Sequence, residues 1–229
     1  NFCGVSLPDT QFTQMLEINL GISTALIQAL NRVQCGAMLI AFGSAAEYGK
    51  IEGDALSEDH NYHPISGYGI TKYQQSLFLG AMSSVLPNRL IVLRPFNIIG
   101  RGMSEASIAG LLWQKVCCAT REGNLSLFYP DMVRDFVSVD DAVRALWLMV
   151  NKAPDSGMYN VCSEVGMSLR DLGELMMSCL GIACEVVQDS RFHGKTVPIQ
   201  EVIGSNHKIR DACGWKPELS LSQVCQSLD

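Results

Sequence analysis

Charge is scarce in this chain. Only 17% of its 229 residues are Asp, Glu, Lys or Arg, and the acidic ones prevail, for a net charge of −6. Such a chain lacks the basic stripe that grips a phosphate backbone, which argues against nucleic acid as its main partner. Long apolar runs are missing too: none reaches the ~18 residues of a membrane-spanning helix, so no membrane partner is expected. The start, Asn1-Phe2-Cys3-Gly4, has neither the basic nor the apolar region of a signal peptide. No Cys-x-x-Cys occurs among the nine cysteines, at 3, 35, 117, 118, 162, 179, 184, 213 and 225. Their number is odd and several lie inside apolar runs. They read as reduced core thiols of a cytoplasmic protein, not as a metal site or a disulfide frame. The histidines (His60, His63, His193, His207) show no metal-ligand spacing, so no metal is expected. No internal repeat or low-complexity tract is present.

What is there is 48% hydrophobic residues, enough for one domain, or one domain with a small lobe. The first half alternates helix and strand signals. Residues 13–33 are apolar at helical spacing. Residues 37–42 form a short apolar run ending in Gly-Ser, which reads as a buried parallel strand. A Pro-containing loop (50–64) and a helical stretch (70–86) follow, and 90–93 form a second buried strand ending at Arg94-Pro95. This alternation predicts a doubly wound parallel sheet covered by helices. In the second half, residues 106–120, 142–150, 169–180 and 207–213 read as helices. Residues 125–129, 135–139 and 158–161 read as strands. Val139-Asp140-Asp141 resembles an N-cap. The expected division is 1–101 for the sheet domain and 102–229 for a small α/β lobe with interleaved sheet elements.

Ligands of such sheets bind at the carboxyl ends of the strands. Gly43-Ser44 and Arg94-Pro95-Phe96-Asn97 lie just past two such ends, and the helix bearing Tyr68 and Lys72 follows the first. Residues four apart on a helix share a face. An ammonium beside a phenol lowers the phenol pKa from about 10, so Tyr68 is expected to exchange protons with a sugar or alcohol oxygen near neutral pH.

With those residues placed, the chain resembles the extended short-chain dehydrogenase/reductase family of nucleotide-sugar epimerases, dehydratases and reductases. Five segments carry the resemblance, in order. They are Glu17-Ile18-Asn19-Leu20-Gly21, Phe42-Gly43-Ser44-Ala45-Ala46-Glu47-Tyr48-Gly49, Ser66-Gly67-Tyr68-Gly69-Ile70-Thr71-Lys72, Leu93-Arg94-Pro95-Phe96-Asn97 and Arg134-Asp135-Phe136-Val137. The resemblance implies Ser44, Tyr68, Lys72 and Asn19 as catalytic residues. It implies NADP or NAD as cofactor, contacted by Tyr68, Lys72, Pro95 and Asn97. It implies a nucleotide-sugar substrate contacted by Ser44, Ala45, Glu47, Asn97, Arg134 (at the diphosphate) and Arg191, and a homodimer built on the 13–33 and 68–86 helices.

Finer segments, Tyr159-Asn160-Val161-Cys162-Ser163, Ile203-Gly204-Ser205-Asn206 and Gly214-Trp215-Lys216-Pro217, resemble the GDP-4-keto-6-deoxymannose reductase (GDP-6-deoxy-D-mannose reductase) subgroup. Sugar-nucleotide dehydratases usually carry an Asp-Glu pair after the catalytic hydroxyl, where this chain has Ala45-Ala46; reduction or epimerisation is therefore expected. The family opens with Gly-x-x-Gly-x-x-Gly, whose backbone N–H groups meet the cofactor pyrophosphate. That motif is absent here, and about 60–80 residues of βα units with it. The expectation is part of a longer, catalytically intact protein. An NAD-dependent epimerase, and a truncated non-catalytic relative that binds a nucleotide sugar or a partner, stay open.

Overall fold

The computed structural model describes residues 11–50, 53, 55–189 and 199–228, the side chains of 120–122 excepted. Its elements run α1 (Phe12–Val33), β1 (Leu39–Phe42), a 3₁₀ turn (Ala45–Glu47), α2 (Gly67–Ser83), β2 (Leu90–Pro95), β3 (Asn97–Ile99), α3 (Ile108–Glu122), β4 (Asn124–Leu127) and β5 (Val133–Ser138). After these come α4 (Val139–Lys152), β6 (Gly157–Val161), β7 (Gly166–Ser168), α5 (Leu169–Cys179), β8 (Glu185–Gln188), β9 (Glu201–Val202), α6 (His207–Cys213) and α7 (Leu221–Gln226).

Strands β1, β2 and β6 form a parallel sheet in that order, with Leu39 opposite Leu90 and Leu93 opposite Tyr159. β1 and residues 90–93 of β2 are continuously apolar because both faces are covered, whereas β6 carries Asn160. Alternation along the strands sends Ala41, Leu90 and Val92 to one face, where Ile27 of α1 and Leu79 of α2 lie. Ile40, Ile91 and Leu93 go to the other, against Ala142, Ala145 and Met149 of α4 and Ile209 of α6. A second body holds the small sheet β3-β5-β7 with β9, the pair β4-β8, and a core of Leu112, Val116, Phe136, Leu172 and Met176.

Only Phe96 separates β2 from β3. The chain leaves the main sheet and enters the small one within a single residue, so Pro95-Phe96-Asn97 stands at the junction of the two bodies. The long elements lie where periodicity places them. The short strands β3, β7, β8 and β9 do not show in the sequence, because two to four residues carry no readable period. Two boundaries are corrected by caps. Ser66, whose Oγ accepts from Gly69 N at 3.0 Å, starts α2 at Gly67, ahead of the apolar period that opens at residue 70, and the helix ends at Ser83 rather than at residue 86. Ser138, not the Asp140 segment, caps α4, its Oγ accepting from Asp141 N at 2.9 Å. Cys162, Cys213 and Cys225 are buried as expected, whereas Cys117 and Cys118 are exposed on α3.

Gly49 closes the turn after β1. Its φ is +67°, and a Cβ there would stand 1.7 Å from the His63 carbonyl oxygen. Gly49→Ala is therefore expected to destabilise by about 2 kcal/mol or more, a drop of about 5 °C or more in the thermal midpoint. A melting curve unchanged from wild type would contradict this.

Candidate functional site

The carboxyl ends of β1 and β2, the start of α2 and the start of α3 enclose a crevice of ≈ 790 Å³. Ser44, Ala45, Tyr68, Pro95, Asn97 and Arg134 all line it. Residues scattered over ninety positions of sequence thus share one wall system, at the strand ends where ligands of such sheets bind.

Ser44 is the N-cap of the 3₁₀ turn. Its Oγ accepts from Ala46 N at 3.2 Å, and its own N–H donates to Glu47 Oε1 at 2.8 Å. Ser44 and Tyr68 line the crevice together, and the Ser44 hydroxyl bears on the Tyr68 phenol. Gly69 makes this approach possible, since a Cβ there would lie 2.4 Å from the Ala46 carbonyl oxygen. Burial pushes the Tyr68 pKa up, the Ser44 hydroxyl opposes that, and the Glu47 charge adds to it. This corrects the expectation of an ammonium-lowered phenol. Lys72 shares the helix face, but its Nζ donates to the Phe42 carbonyl at 2.9 Å and to Gln75 Oε1 at 3.0 Å. Burial lowers its own pKa, against the pull of Glu47. A lysine has three N–H donors, and the third has no partner among the described residues.

Asn19 does not line the crevice. It is buried on α1, and its Nδ2 donates to Thr71 Oγ1 at 3.0 Å. One turn on, Gln75 Nε2 donates to Ser23 Oγ at 2.8 Å. A buried polar seam thus runs from α1 through α2 to the lysine. Ser23 and Gln75 were not singled out from the sequence. The signal was there: α1 buries Met15, Asn19, Ser23 and Ile27, so two polar residues interrupt an inward face at i, i+4 spacing. Such residues are held when hydrogen-bonded and costly otherwise.

Glu47, expected to touch substrate, does not reach the crevice. It is fully buried and paired with Arg94, Nε to Oε2 at 2.7 Å. Arg191 lies outside the described residues. Asn97 does face the crevice, and its Nδ2 donates to the Asp135 carbonyl at 2.9 Å across β3 and β5.

Arg134 and Asp135 are neighbours on β5, so they point to opposite sides. Arg134 is 8% exposed, and no carboxylate pairs with it among the described residues. Its guanidinium donates only to neutral groups: the carbonyls of Val133 (2.6 Å), Ile199 (2.9 Å) and Gln200 (3.4 Å), and Met132 Sδ (2.8 Å). Burial lowers its pKa to about 10. In the same crevice lining, Ser107 caps α3, its Oγ accepting from Gly110 N at 3.0 Å, and Ser107 and Ile108 present that helix start to the crevice. A buried cation and a helix N-terminus lining one crevice offer a seat for an anion. The cap serine and its neighbour Ser104 were not singled out from the sequence either, although Ser-Ile-Ala-Gly reads as a helix start.

Asp135 faces the other way. It takes the Ser163 N–H and Oγ (2.7 Å each), Glu164 N (3.0 Å) and Gly204 N (3.2 Å), pinning the β6–β7 turn and the approach to α6. Burial still pushes its pKa up to about 6 from 3.8. On raising the pH the unfolded chain loses this proton first. The group therefore contributes stability that is full below pH ~4 and falls by about 3 kcal/mol as pH rises to ~6. The expected result is that the melting midpoint of Asp135→Asn, measured against wild type from pH 4 to pH 7, gains on wild type with rising pH. A constant difference would refute it.

A model of the NAD dependent epimerase/dehydratase family matches residues 2–162. The GDP-6-deoxy-D-mannose reductase of Pseudomonas aeruginosa is 27% identical over 218 residues, covering 93% of this chain and 71% of that protein. The dTDP-6-deoxy-L-talose 4-dehydrogenase (NAD(P)(+)) of Kitasatospora kifunensis is 27% identical over 222 residues, covering 94% and 69%. The solved structure of RMD from Pseudomonas aeruginosa, complexed with NADPH, superposes with a TM-score of 0.87 at 27% identity, covering 98% of this chain and 77% of that one.

Proposed function

This chain belongs to the NAD-dependent epimerase/dehydratase family, a family of NAD(P)-dependent sugar-nucleotide enzymes, and from that premise we propose that it reduces a 4-keto-6-deoxyhexose carried on a nucleoside diphosphate, GDP favoured. The observation that carries the reading is Ser44 and Tyr68 together in the crevice wall, with Ala45 and Ala46 in place of carboxylates. Water elimination needs a base and an acid at the sugar; methyl groups supply neither.

The residues present fit the cofactor's nicotinamide half. Pro95 and Tyr68 line the crevice, Asn97 stands beside them, and the third N–H of Lys72 suits a ribose hydroxyl. When bound, the nicotinamide supplies the hydride. Everything else falls to the chain. Tyr68, kept protonated by burial, gives its proton to the sugar oxygen as charge develops there. Ser44 bonds the same oxygen and then takes over the bond to the phenolate. Lys72 holds the Phe42 carbonyl, and with it the turn that presents Ser44. Asn19 supports α2 from behind. Arg134 and the start of α3 hold the diphosphate, which fixes the sugar's distance from Tyr68.

The reading extends to the whole protein. Residues 1–101 make the cofactor domain and 102–229 the substrate lobe, with β6 and α6 returned to the main sheet. α1 and α2 provide the surface for a homodimer. Buried thiols at Cys162, Cys213 and Cys225 suit the cytoplasm. Among the described residues no helix is long and apolar enough to cross a membrane.

The test is the loss of NADPH absorbance with GDP-4-keto-6-deoxymannose. Stoichiometric consumption is expected. Sugar interconversion without consumption would replace the reading with epimerisation, and neither would overturn it.

A further inference from the structure

Behind the crevice wall lies an ion pair that the reaction does not touch. Glu47 and Arg94 meet at 2.7 Å with both side chains fully buried. Pairs this deep often do no better than an apolar pair of equal volume, so stability alone explains it poorly. Its geometry offers another reason. Glu47 Oε2 binds Arg94, while Oε1 accepts the Ser44 N–H at 2.8 Å. Arg94 spends its other nitrogens on Tyr62 OH (2.6 Å) and Met158 Sδ (2.7 Å), and its guanidinium lies 4.7 Å from the Tyr62 ring centroid and 5.5 Å from that of Tyr48.

The two residues lie at the ends of neighbouring strands, Glu47 in the turn after β1 and Arg94 near the end of β2. Glu47 belongs to the turn that supplies Ser44, Ala45 and Ala46 to the crevice; Arg94 immediately precedes Pro95, Phe96 and Asn97. One buried contact therefore ties together the two strand ends between which the crevice opens. The fit is close: a Cβ on Gly43 would stand 2.4 Å from Glu47 Oε1 and 3.0 Å from Arg94 Cγ. From the far side, Lys72 holds the Phe42 carbonyl. The backbone from Phe42 to Ser44 is thus gripped by an ammonium at its start and a carboxylate at its end, and Ser44 lines the crevice together with Tyr68.

We propose that the Glu47–Arg94 pair is a positioning device that fixes the Ser44 hydroxyl against the Tyr68 phenol and sets the β1-side wall of the crevice in register with the β2-side wall. It rests on the reading that Ser44 and Tyr68 act on the sugar oxygen. Charge suits the task better than packing does, because a charge-assisted hydrogen bond is short and directional.

The deciding variant is the double replacement Glu47→Leu with Arg94→Met, which removes both charges at similar volume and leaves neither unpaired. It is expected to fold. The Ser44 amide should exchange with deuterium about tenfold faster or more, having lost its acceptor. The kcat should fall about 10- to 100-fold while KM for the nucleotide sugar stays within about threefold, because the hydroxyl is misplaced and the diphosphate seat is not. Glu47→Gln keeps the volume and a weaker acceptor, and should fall between wild type and the double variant in both measurements; it carries the test should the double variant not fold. A folded variant with wild-type kcat, or with lowered kcat but wild-type Ser44 exchange, would overturn the proposal. Should wild type turn over no nucleotide sugar, the functional reading fails, and Ser44 exchange still decides the pair's role.

Discussion

Tyr68→Phe is expected to lower kcat by about 10²- to 10⁴-fold, the usual worth of a positioned proton donor. KM for the nucleotide sugar should hardly move, since the phenol's contribution belongs to the step in which charge develops on the sugar oxygen. The structure gives two grounds for so large an effect. The phenol and the Ser44 hydroxyl line one crevice, so proton donor and hydroxyl can meet the same sugar oxygen. Burial and the Glu47 charge both keep the proton on the phenol, which is the state a reduction consumes. The change removes one oxygen from a side chain that α2 already holds, so the variant should melt near wild type. Near-wild-type turnover by Tyr68→Phe would end the proposed mechanism, whatever the cofactor.

Arg134→Met should produce the complementary pattern: KM for the nucleotide sugar up about 30- to 1000-fold, with kcat changed far less. Charge-assisted bonds to a phosphate are worth about 1.5–3 kcal/mol each, and each 1.4 kcal/mol is a factor of ten. The expectation follows from an imbalance. A guanidinium 8% exposed, with its pKa lowered to about 10 and only neutral acceptors around it, has given up water without gaining a counter-charge among the described residues. An anion in the crevice would supply one. Inhibition by free GDP isolates the effect, since it needs no sugar chemistry and should weaken by the same factor. Arg134→Lys should recover only part of the loss, because an ammonium lacks the two-pronged fit to a diphosphate. Unchanged GDP inhibition in Arg134→Met would remove Arg134 from substrate binding and leave its backbone hydrogen bonds as its role.

The two variants separate the functions of the crevice. On the proposed reading one wall serves chemistry and should appear in kcat, and the other holds the substrate's diphosphate and should appear in KM.

Much of this protein is written in local sequence, and the reason is period. Apolar residues at helical spacing mark α1, α2, α4 and α5, and unbroken apolar runs mark β1 and β2, because each is long enough for its buried face to repeat. Strand ends followed by Gly-Ser and Pro-Phe-Asn announce a crevice before any coordinates, since sheets of this kind bind ligands there. Ser44, Tyr68, Pro95 and Asn97 were legible in this way; Ala45 and Arg134 were implied only by the family resemblance. What the sequence could not decide is where a charge goes once the chain closes. Glu47 is three residues from Ser44 and reads as another crevice residue. Only the approach of β2, forty-seven residues later, turns it inward to Arg94. Lys72 stands one helical turn from Tyr68, yet its ammonium ends on the Phe42 carbonyl, thirty residues earlier in the chain. Asn19, Ser23, Thr71 and Gln75 join into a seam only because α1 and α2 pack face to face. These contacts are decided by desolvation, because a buried charge or amide must find a partner and takes whichever one the fold brings near. Local pattern determined which elements form and which ends face ligand; tertiary packing decided which polar groups stay open to it and which are spent holding the wall in place.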